Sequence, residues 1–249
     1  MVPNALGLTL IQPAVQALTM SSMNRLGWLL ACALMLEGAS DPIRDATPPP
    51  SPKMARPPGR VLFSDDFHAT TLASGWRADK PEVWSLRRGV LKADMPDGRQ
   101  QRSFLYTGSD EWTDYAVDLD VCAMRGADKG IAVRVVEGEG GMAVDLRGSS
   151  YQDVLLQRRE WPLAKADVTN ANGQWQHLRV ECRGRRYRVW VNDTVLIDKE
   201  DSRKARTTGG IALAAYTGGV GECTLYYDNI VVTSLASSAQ TSTDVDEGP

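Results

Sequence analysis

The sequence predicts an all-β protein, built as a two-sheet antiparallel sandwich around a single core. Apolar and polar residues alternate through most of residues 61–235, as they do at Tyr115, Val117, Leu119 and Val121. This two-residue period is typical of strands with one buried face. Glycine-rich breaks separate the runs, and no window has the apolar spacing of an amphipathic helix. Many short strands divided by turn signals indicate a sandwich or a barrel.

The overall composition excludes several classes of protein. The chain has 249 residues, of which 43% are hydrophobic and 24% are charged, as in an ordinary globular protein. The net charge is −3, and the lysines and arginines are dispersed, so we expect no nucleic-acid partner. His68 and His177 are the only histidines of the sequence, which excludes a histidine-rich metal centre.

The N-terminal region has the pattern of a secretory signal. Arg25 precedes an apolar run over residues 26–36, and small residues follow as far as Ser40. The run is shorter than the roughly 20 apolar residues that span a bilayer. We therefore expect export to the periplasm, the cell surface or the medium. Cys32 follows Leu-Leu-Ala, as in a bacterial lipobox, so a lipid anchor at Cys32 is the alternative to ordinary cleavage near Ser40.

Changes in composition predict the domain organisation. Residues 1–40 form the signal region, and the proline-rich residues 41–60 form an extended linker. The sandwich domain occupies residues 61–235, enough chain for one good core. Residues 236–249 are rich in Ser and Thr and then acidic, which predicts a disordered tail.

Three cysteines remain after the signal region, an odd number in a compartment that permits disulfides. Cys182 and Cys223 occupy apolar-face positions of their strands and are the favoured pair for a single disulfide. Cys122 has the opposite phase and should point away from the core.

Four motifs occur in order in the C-terminal half of the sequence: a W-x-x-x-x-V strand, a V-W-V-N strand, a G-G-I-x-L strand and a closing Y-D-N-I strand, at residues 174–180, 187–192, 209–213 and 227–232. In this order they resemble concanavalin-A-like, laminin-G-like jelly rolls. With the opening segment at residues 63–67 and a G-I-x-x-R strand ending at Arg134, the chain is similar to the 3-keto-disaccharide hydrolase-like family over about residues 61–233. The resemblance implies a jelly roll that meets carbohydrate.

Two positions depart from that family's pattern. Its members usually carry N-S-G before the I-x-x-R strand, where this chain has Asp128-Lys129-Gly130. Their next strand usually presents a Glu where this chain has Ala143. Both departures put catalysis in doubt more than the fold.

The outward-facing residues of consecutive strands are candidates for a ligand groove. Asp118 and Asp120 are i and i+2 on one strand, about 6.5–7 Å apart, and are the candidate catalytic pair because a retaining glycosidase holds its two carboxyls about 5–5.5 Å apart. The alternative is a solvated sheet face with cross-strand charge pairs. The candidate ligand-binding residues from the next strands are Arg134, Asp145, Arg147 and Gln157.

Two tryptophans are candidates for stacking against sugar rings. Trp190 is out of phase with Val189 and Val191, and Trp161 lies in a Glu-Trp-Pro segment. The alternative for each is a ring capped by a loop or buried at a sheet edge.

Asp65, Asp66 and Asp228 are candidate ligands of a structural calcium ion. The first and last strands of a closed sandwich often pair, which would bring these carboxylates together, and calcium prefers oxygen ligands. Turn capping by aspartate explains the same residues equally well.

These observations favour an exported jelly roll that binds carbohydrate in a concave groove. Two alternatives remain open: a glycoside hydrolase acting on 3-keto-disaccharides or related glycosides, and a structural or adhesive module that binds protein.

Overall fold

The computed structural model describes residues 55–95, 98–126, 128–148, 150–158, 161–203 and 206–236. The predicted signal region with Cys32, the linker up to residue 54, and the tail from residue 237 lie outside the described residues. No helix within the described ranges has the length and apolarity needed to cross a membrane.

The described residues form fifteen strands and one short 3-10 turn at Pro81–Val83. The first eight strands are β1 (Val61–Asp65), β2 (Arg77–Ala78), β3 (Trp84–Arg87), β4 (Val90–Met95), β5 (Arg102–Thr107), β6 (Tyr115–Arg125), β7 (Asp128–Val136) and β8 (Gly140–Arg147). The others are β9 (Asp153–Arg158), β10 (Trp161–Asp167), β11 (Trp175–Arg183), β12 (Arg186–Val191), β13 (Thr194–Glu200), β14 (Gly210–Tyr216) and β15 (Cys223–Ser234).

The strands form two antiparallel sheets. The eight-stranded sheet has the order β13-β12-β11-β6-β15-β4-β3, with β1 also paired to β15. The seven-stranded sheet has the order β10-β9-β8-β7-β14-β5-β2. The prediction of an all-β, two-sheet antiparallel jelly roll is confirmed.

The core lies between the two sheets and follows the alternation of the sequence. Val117, Leu119 and Val121 of β6 face Ile131 and Val133 of β7 within one cluster, and each of these side chains is almost fully buried. Slipping such a strand by one residue would move the charged alternate positions into this core, so the register of each strand is strongly fixed.

Both ends of the domain meet at the edge of β15. β1 runs antiparallel to β15, with Val61 opposite Thr233. The preceding residues also touch the sheet, because Nη1 of Arg179 donates a hydrogen bond to the carbonyl oxygen of Ala55 at 3.1 Å. Residues 55–60, at the end of the predicted linker, therefore contact the domain.

The predicted disulfide between Cys182 and Cys223 is wrong. Both thiols are free and buried, as is that of Cys122. Cys182 lies opposite Tyr115 at the start of β6, whereas Cys223 lies beside the far end of that strand, near Arg125. With a rise of about 3.3 Å per residue, the two cysteines are roughly 30 Å apart, far beyond the roughly 7 Å limit between Cα atoms in a disulfide.

The expectation that Asp118, Asp120, Arg134 and Asp145 share one face is also wrong. β6, which carries the first two residues, pairs with β11 and β15 in the eight-stranded sheet. β7 and β8, which carry the other two, belong to the seven-stranded sheet. The short connection after Arg125 crosses from one sheet to the other, although consecutive strands are usually neighbours.

Candidate functional site

A cavity of about 250 Å³ opens on the outer face of the seven-stranded sheet. We call it the groove. It is lined by outward-facing residues of five adjacent strands, with the glycines of the β7–β8 turn at one end. Its polar and aromatic members are Arg102, Phe104, Tyr106, Asp128, Asp145, Gln157 and Tyr216.

Aromatic residues form one side of the groove. Phe104 and Tyr106 alternate with buried Leu105 on β5, and their ring centroids are 5.8 Å apart. Tyr216, at the end of β14, lies under the guanidinium group of Arg102, whose carbon is 4.7 Å from the ring centroid. Such rings offer apolar faces beside polar groups, the combination that a sugar ring with its C–H faces and hydroxyls can use.

Carboxyl groups form the opposite side. Nε2 of Gln157 donates a hydrogen bond to Oδ2 of Asp145 at 2.6 Å. Burial raises the pKa of Asp145 to about 6, and the nearby charge of Asp128 adds to that effect against the hydrogen bond from Gln157. Burial also raises the pKa of Asp128, whose Oδ1 is buried without a hydrogen-bond partner. Asp145 therefore changes its charge close to neutral pH.

The floor of the groove consists of small residues. Ala132, Ala143, Ala212 and Ala214 line it, and they leave room above the sheet. Ala143 is the position where the resembling family usually carries Glu. A carboxylate there would point into the groove beside Asp145, and this chain lacks it.

The structure brings Asp145 and Gln157 together in the groove, as the sequence analysis expected for two of its candidates. Arg147 projects from the same face of β8, but its Nε and Nη2 donate to the two carboxylate oxygens of buried Asp153 at 2.7 and 2.8 Å. Its guanidinium carbon lies 4.2 Å from the ring centroid of Tyr151. Arg147 is thus paired with Asp153 and is not among the residues that line the groove.

Asp118 and Asp120, the candidate catalytic pair, lie on the outer face of the other sheet. Both are only 3% exposed. Oδ1 of Asp118 accepts a hydrogen bond from Nε of Arg179 at 2.6 Å, and Oδ2 of Asp120 accepts one from Nδ2 of Asn229 at 2.9 Å. Carboxylates held in this way are typical of a structural ion-pair cluster.

His177 completes this cluster. Its Nδ1 is 2.8 Å from Oδ1 of Asp120, and its Nε2 is 3.2 Å from Oδ1 of Asp118. Burial opposes the charged imidazolium, but the hydrogen bonds and charges of the two carboxylates outweigh it and raise the pKa of His177 to about 9. The ring therefore carries a positive charge at neutral pH. A charged histidine is a poor general base, and the cluster binds strands β6 and β11 to each other.

The two candidate tryptophans have different surroundings. Trp190 points away from the main core, as its phase predicts, but it is only 8% exposed and lies opposite Arg179 in the β11–β12 pair. Trp161 is 67% exposed at the start of the edge strand β10 and lies opposite Arg158. Neither tryptophan lines the groove.

The three candidate calcium ligands are not gathered into a cluster of metal-ligating side chains in the part of the chain that the structure describes. No group of three His, Cys, Asp or Glu side chains there is close enough to hold a metal ion. Asp65 accepts hydrogen bonds from the backbone N–H of Phe67 and from Nε1 of Trp76, each at 2.8 Å. Asp228 accepts a hydrogen bond from the N–H of Asn229 at 2.7 Å. These carboxylates cap turns, which was the alternative explanation.

Most residues of the groove were not predicted from the sequence. The signal for Phe104 and Tyr106 was present, because Arg102, Phe104 and Tyr106 occupy one phase of β5 while buried Ser103 and Leu105 occupy the other. An aromatic residue at every second position, out of phase with the core, indicates an exposed ring face.

The two antiparallel sheets and the order of their strands identify the domain as a concanavalin-A-like jelly roll. The sequence profile of the 3-keto-alpha-glucoside-1,2-lyase-like domain family matches residues 61–233. The chain belongs to that family. A search of curated proteins finds no significant match.

Solved structures with the same fold include carbohydrate-binding proteins and domains of sugar-cleaving enzymes. The carbohydrate-binding module CBM66 from Bacillus subtilis has a TM-score of 0.54 at 15% identity, covering 64% of this chain and 96% of that one. A chain from a study of endo-acting O-glycanases of the human gut microbiota, which initiate mucin breakdown, has a TM-score of 0.56 at 11% identity, covering 71% and 100%. The exoplasmic/lumenal domain of VIP36, bound to Ca²⁺ and Man3GlcNAc, has a TM-score of 0.53 at 13% identity, covering 72% and 93%.

Proposed function

We propose that this protein binds carbohydrate in the groove of its seven-stranded sheet. The observation that carries the proposal is the composition of that one cavity, which joins the rings of Phe104, Tyr106 and Tyr216 to the polar groups of Asp145 and Gln157. Pockets that orient a small ligand combine apolar walls with a few placed polar groups. The family, and the carbohydrate ligands named for CBM66 and VIP36, support sugar as the ligand class.

Each side of the groove has a distinct role in this proposal. The aromatic side covers the C–H face of a sugar ring, and burial of that face supplies free energy without regard to hydroxyl configuration. The carboxylate of Asp145 accepts hydrogen bonds from sugar hydroxyl groups, and the amide of Gln157 can donate to them or accept from them, which selects the orientation of the hydroxyls. Because the floor consists of alanines, the sugar ring can approach the backbone of the strands closely.

Glycan-array screening followed by calorimetric titration tests the proposal. Phe104→Ala should weaken binding of the best oligosaccharide by roughly ten- to a hundredfold, as expected for loss of one stacking ring. His68→Ala, which removes an exposed ring on the other side of the domain, should leave the affinity unchanged. Equal binding by the parent and by folded Phe104→Ala protein would exclude the groove as the binding site.

Turnover in the same groove is the second candidate function, favoured by the family and by the raised pKa values of Asp145 and Asp128. A ketone at C3 of an α-glucoside acidifies the hydrogen at C2. Asp128 as carboxylate would take that proton as the C1–C2 double bond forms and the C1–O bond breaks. Asp145, its diagonal neighbour on β8, has its pKa raised to about 6 and would as an acid protonate the departing oxygen.

Chromatography of an α-glucoside oxidised at C3, incubated with the protein, separates turnover from binding. Release of the leaving sugar by the parent but not by Asp145→Asn, with affinity retained, would identify an enzyme. Ala143 stands where the resembling family has Glu, and restoring it as Ala143→Glu should raise any turnover. Absence of product at high protein concentration would leave binding as the function.

We also propose export, with a lipid anchor at Cys32 as the alternative to cleavage near Ser40. The apolar run over residues 26–36 and the small residues after it support this proposal. Mass spectrometry of the protein from fractionated cells tests it. A lipid-modified Cys32 that disappears in Cys32→Ser identifies the anchor, whereas an unprocessed chain in the cytoplasm contradicts export.

A further inference from the structure

A second cavity, of about 290 Å³, adjoins the groove at the β7–β8 turn. Gly140 and Gly141 line both cavities, so a continuous surface without side chains connects them. We call the second one the arginine cavity, because Arg134, Arg158 and Arg206 line it. Glu139 is the one acidic side chain among its lining residues, and Asp114 and Asp201 contact Arg134 and Arg158 from outside the lining.

Arg134 is the buried centre of this cavity. It lies at a bulge of β7 with a positive φ of 53°, and its backbone N–H donates to the hydroxyl of Tyr115 at 2.6 Å. The bulge interrupts the alternation of β7, so the side chain of Arg134 points toward the other sheet. There the guanidinium carbon lies 5.5 Å from the ring centroid of Tyr187, and the residue is only 1% exposed.

The guanidinium group of Arg134 does not use all five of its N–H donors. Nη1 donates to the carbonyl oxygens of Gly184 and Arg206, and Nη2 lies 3.4 Å from Oδ1 of Asp114. Nε is buried and has no hydrogen-bond partner. An unpaired buried donor on a charged group is costly, and an acceptor oxygen in the cavity would satisfy it.

The two other arginines stand at the cavity's more open side. Arg158 contacts Asp201, and Arg206 contacts Glu139, each through one Nη2 atom. Their side chains are about one-third exposed, at 32% and 36%. A guanidinium group has five N–H donors, so each of them keeps donors for a further acceptor. Trp161 is exposed and lies opposite Arg158 in the β9–β10 pair.

We propose that the arginine cavity binds the anionic group, a carboxylate or a sulfate ester, of an acidic carbohydrate whose sugar chain lies in the groove. This inference rests on the proposed function of the groove and names its ligand class. The planar guanidinium fork matches such oxyanions, and each of the three arginines keeps N–H donors that its own carboxylate partner, Asp114, Asp201 or Glu139, does not use. The glycines of the turn let the chain pass from one cavity to the other.

Calorimetric titration of the intact protein with oligogalacturonate, and with its methyl ester as the uncharged match, tests the inference. The acid should bind roughly tenfold more tightly than the ester, as one charge-assisted hydrogen bond would supply. Arg158→Gln and Arg206→Gln should each remove most of that preference and leave ester binding unchanged. Arg125→Gln, an exposed arginine at the far end of β6, is the control and should retain the preference.

A titration with inorganic sulfate, followed by NMR, distinguishes failure of the anion site from failure of the groove as the sugar-binding site. The Nε–H resonance of Arg134, identified by its loss in Arg134→Lys, should shift with sulfate in the parent and shift less in Arg206→Gln. A sulfate shift without binding of either oligosaccharide would overturn the groove and, with it, the acidic carbohydrate as ligand. Equal binding of acid and ester, or an acid preference that survives both arginine variants, would overturn the anion site while the groove stands.

Discussion

His177 and Asp120 face each other across strands β11 and β6, and Nδ1 of the imidazole lies 2.8 Å from Oδ1 of the carboxylate. Nε2 of the imidazole lies 3.2 Å from Oδ1 of Asp118, and Nε of Arg179 donates a hydrogen bond to the same oxygen at 2.6 Å. Two positive and two negative side chains thus form a neutral cluster on a buried part of the eight-stranded sheet. Its stability depends on the proton that His177 carries.

This cluster should make the stability of the fold depend on pH. The pKa of His177 is raised from 6.5 to about 9, so its contribution is full below pH 6.5 and is lost as the pH rises through 9. By linkage the loss amounts to about 2–3 kcal/mol in the free energy of unfolding. Urea unfolding of the parent and of His177→Gln at pH 6.5, 7.5 and 9 isolates this contribution, because Lys129, whose pKa is lowered to about 8, titrates in both proteins. The difference in unfolding free energy between the two proteins should shrink by that amount from pH 6.5 to 9, whereas parallel curves would contradict the assignment.

The three cysteines of the domain should resist modification in the native protein. Burial raises the pKa of Cys182 to about 12 and that of Cys223 to about 11, and it also raises the pKa of Cys122. Because the thiolate is the reactive form, iodoacetamide at pH 8 should leave all three unmodified until the protein is unfolded. Peptide mapping by mass spectrometry measures this. A shift of the unfolding midpoint on adding reductant would instead reveal a disulfide.

Gly130→Ala should destabilise the protein by about 2–4 kcal/mol, as severe overpacking does. A Cβ atom at this position would lie 2.1 Å from the carbonyl oxygen of Val144 on the neighbouring strand. Gly219→Ala is the matched control, since its Cβ would meet nothing within 4 Å. Thermal and urea unfolding of the two variants should therefore separate clearly. A variant at Gly130 as stable as the control would show that β7 and β8 can move apart at no cost.

Binding of an uncharged oligosaccharide should become tighter as the pH rises through about 6, where Asp145 ionises. A carboxylate is a stronger acceptor for sugar hydroxyls than a carboxylic acid, and we expect a change of about three- to tenfold between pH 5 and 7.5. Asp145→Asn should abolish that dependence. Asp198→Asn, an exposed carboxylate on the other sheet, should retain it. An unchanged pH profile in Asp145→Asn would remove Asp145 from the site.

The fold could be predicted from the sequence because each strand carries its own evidence. The alternation of Tyr115, Val117, Leu119 and Val121 identifies a strand and its buried face without reference to any other segment. The order of the motifs then resembles that of one family of jelly rolls. Local patterns of this kind suffice for a class and a family.

The site was harder to predict because it depends on which sheet each strand joins. Asp118 and Asp145 each alternate with core residues in their own strands, so both are expected to face outward. Neither strand's sequence indicates that β6 lies in one sheet and that β7 and β8 lie in the other. The bulge at Arg134 is a second case, since a positive φ in a non-glycine residue redirects a side chain that simple alternation places in the groove. By contrast, Asp145 and Gln157 were placed correctly together because β8 and β9 form a direct hairpin.

The pairing of the first and last strands has a mechanical consequence. Val61 and Thr233 are partners in neighbouring antiparallel strands, so the chain enters and leaves the sandwich at the same point of one edge. A tensile load applied through the flanking segments would pull β1 away from β15 one hydrogen bond at a time, rather than shear all of them together. We expect the domain to peel open under low force while the β4–β15–β6 centre of the sheet stays intact.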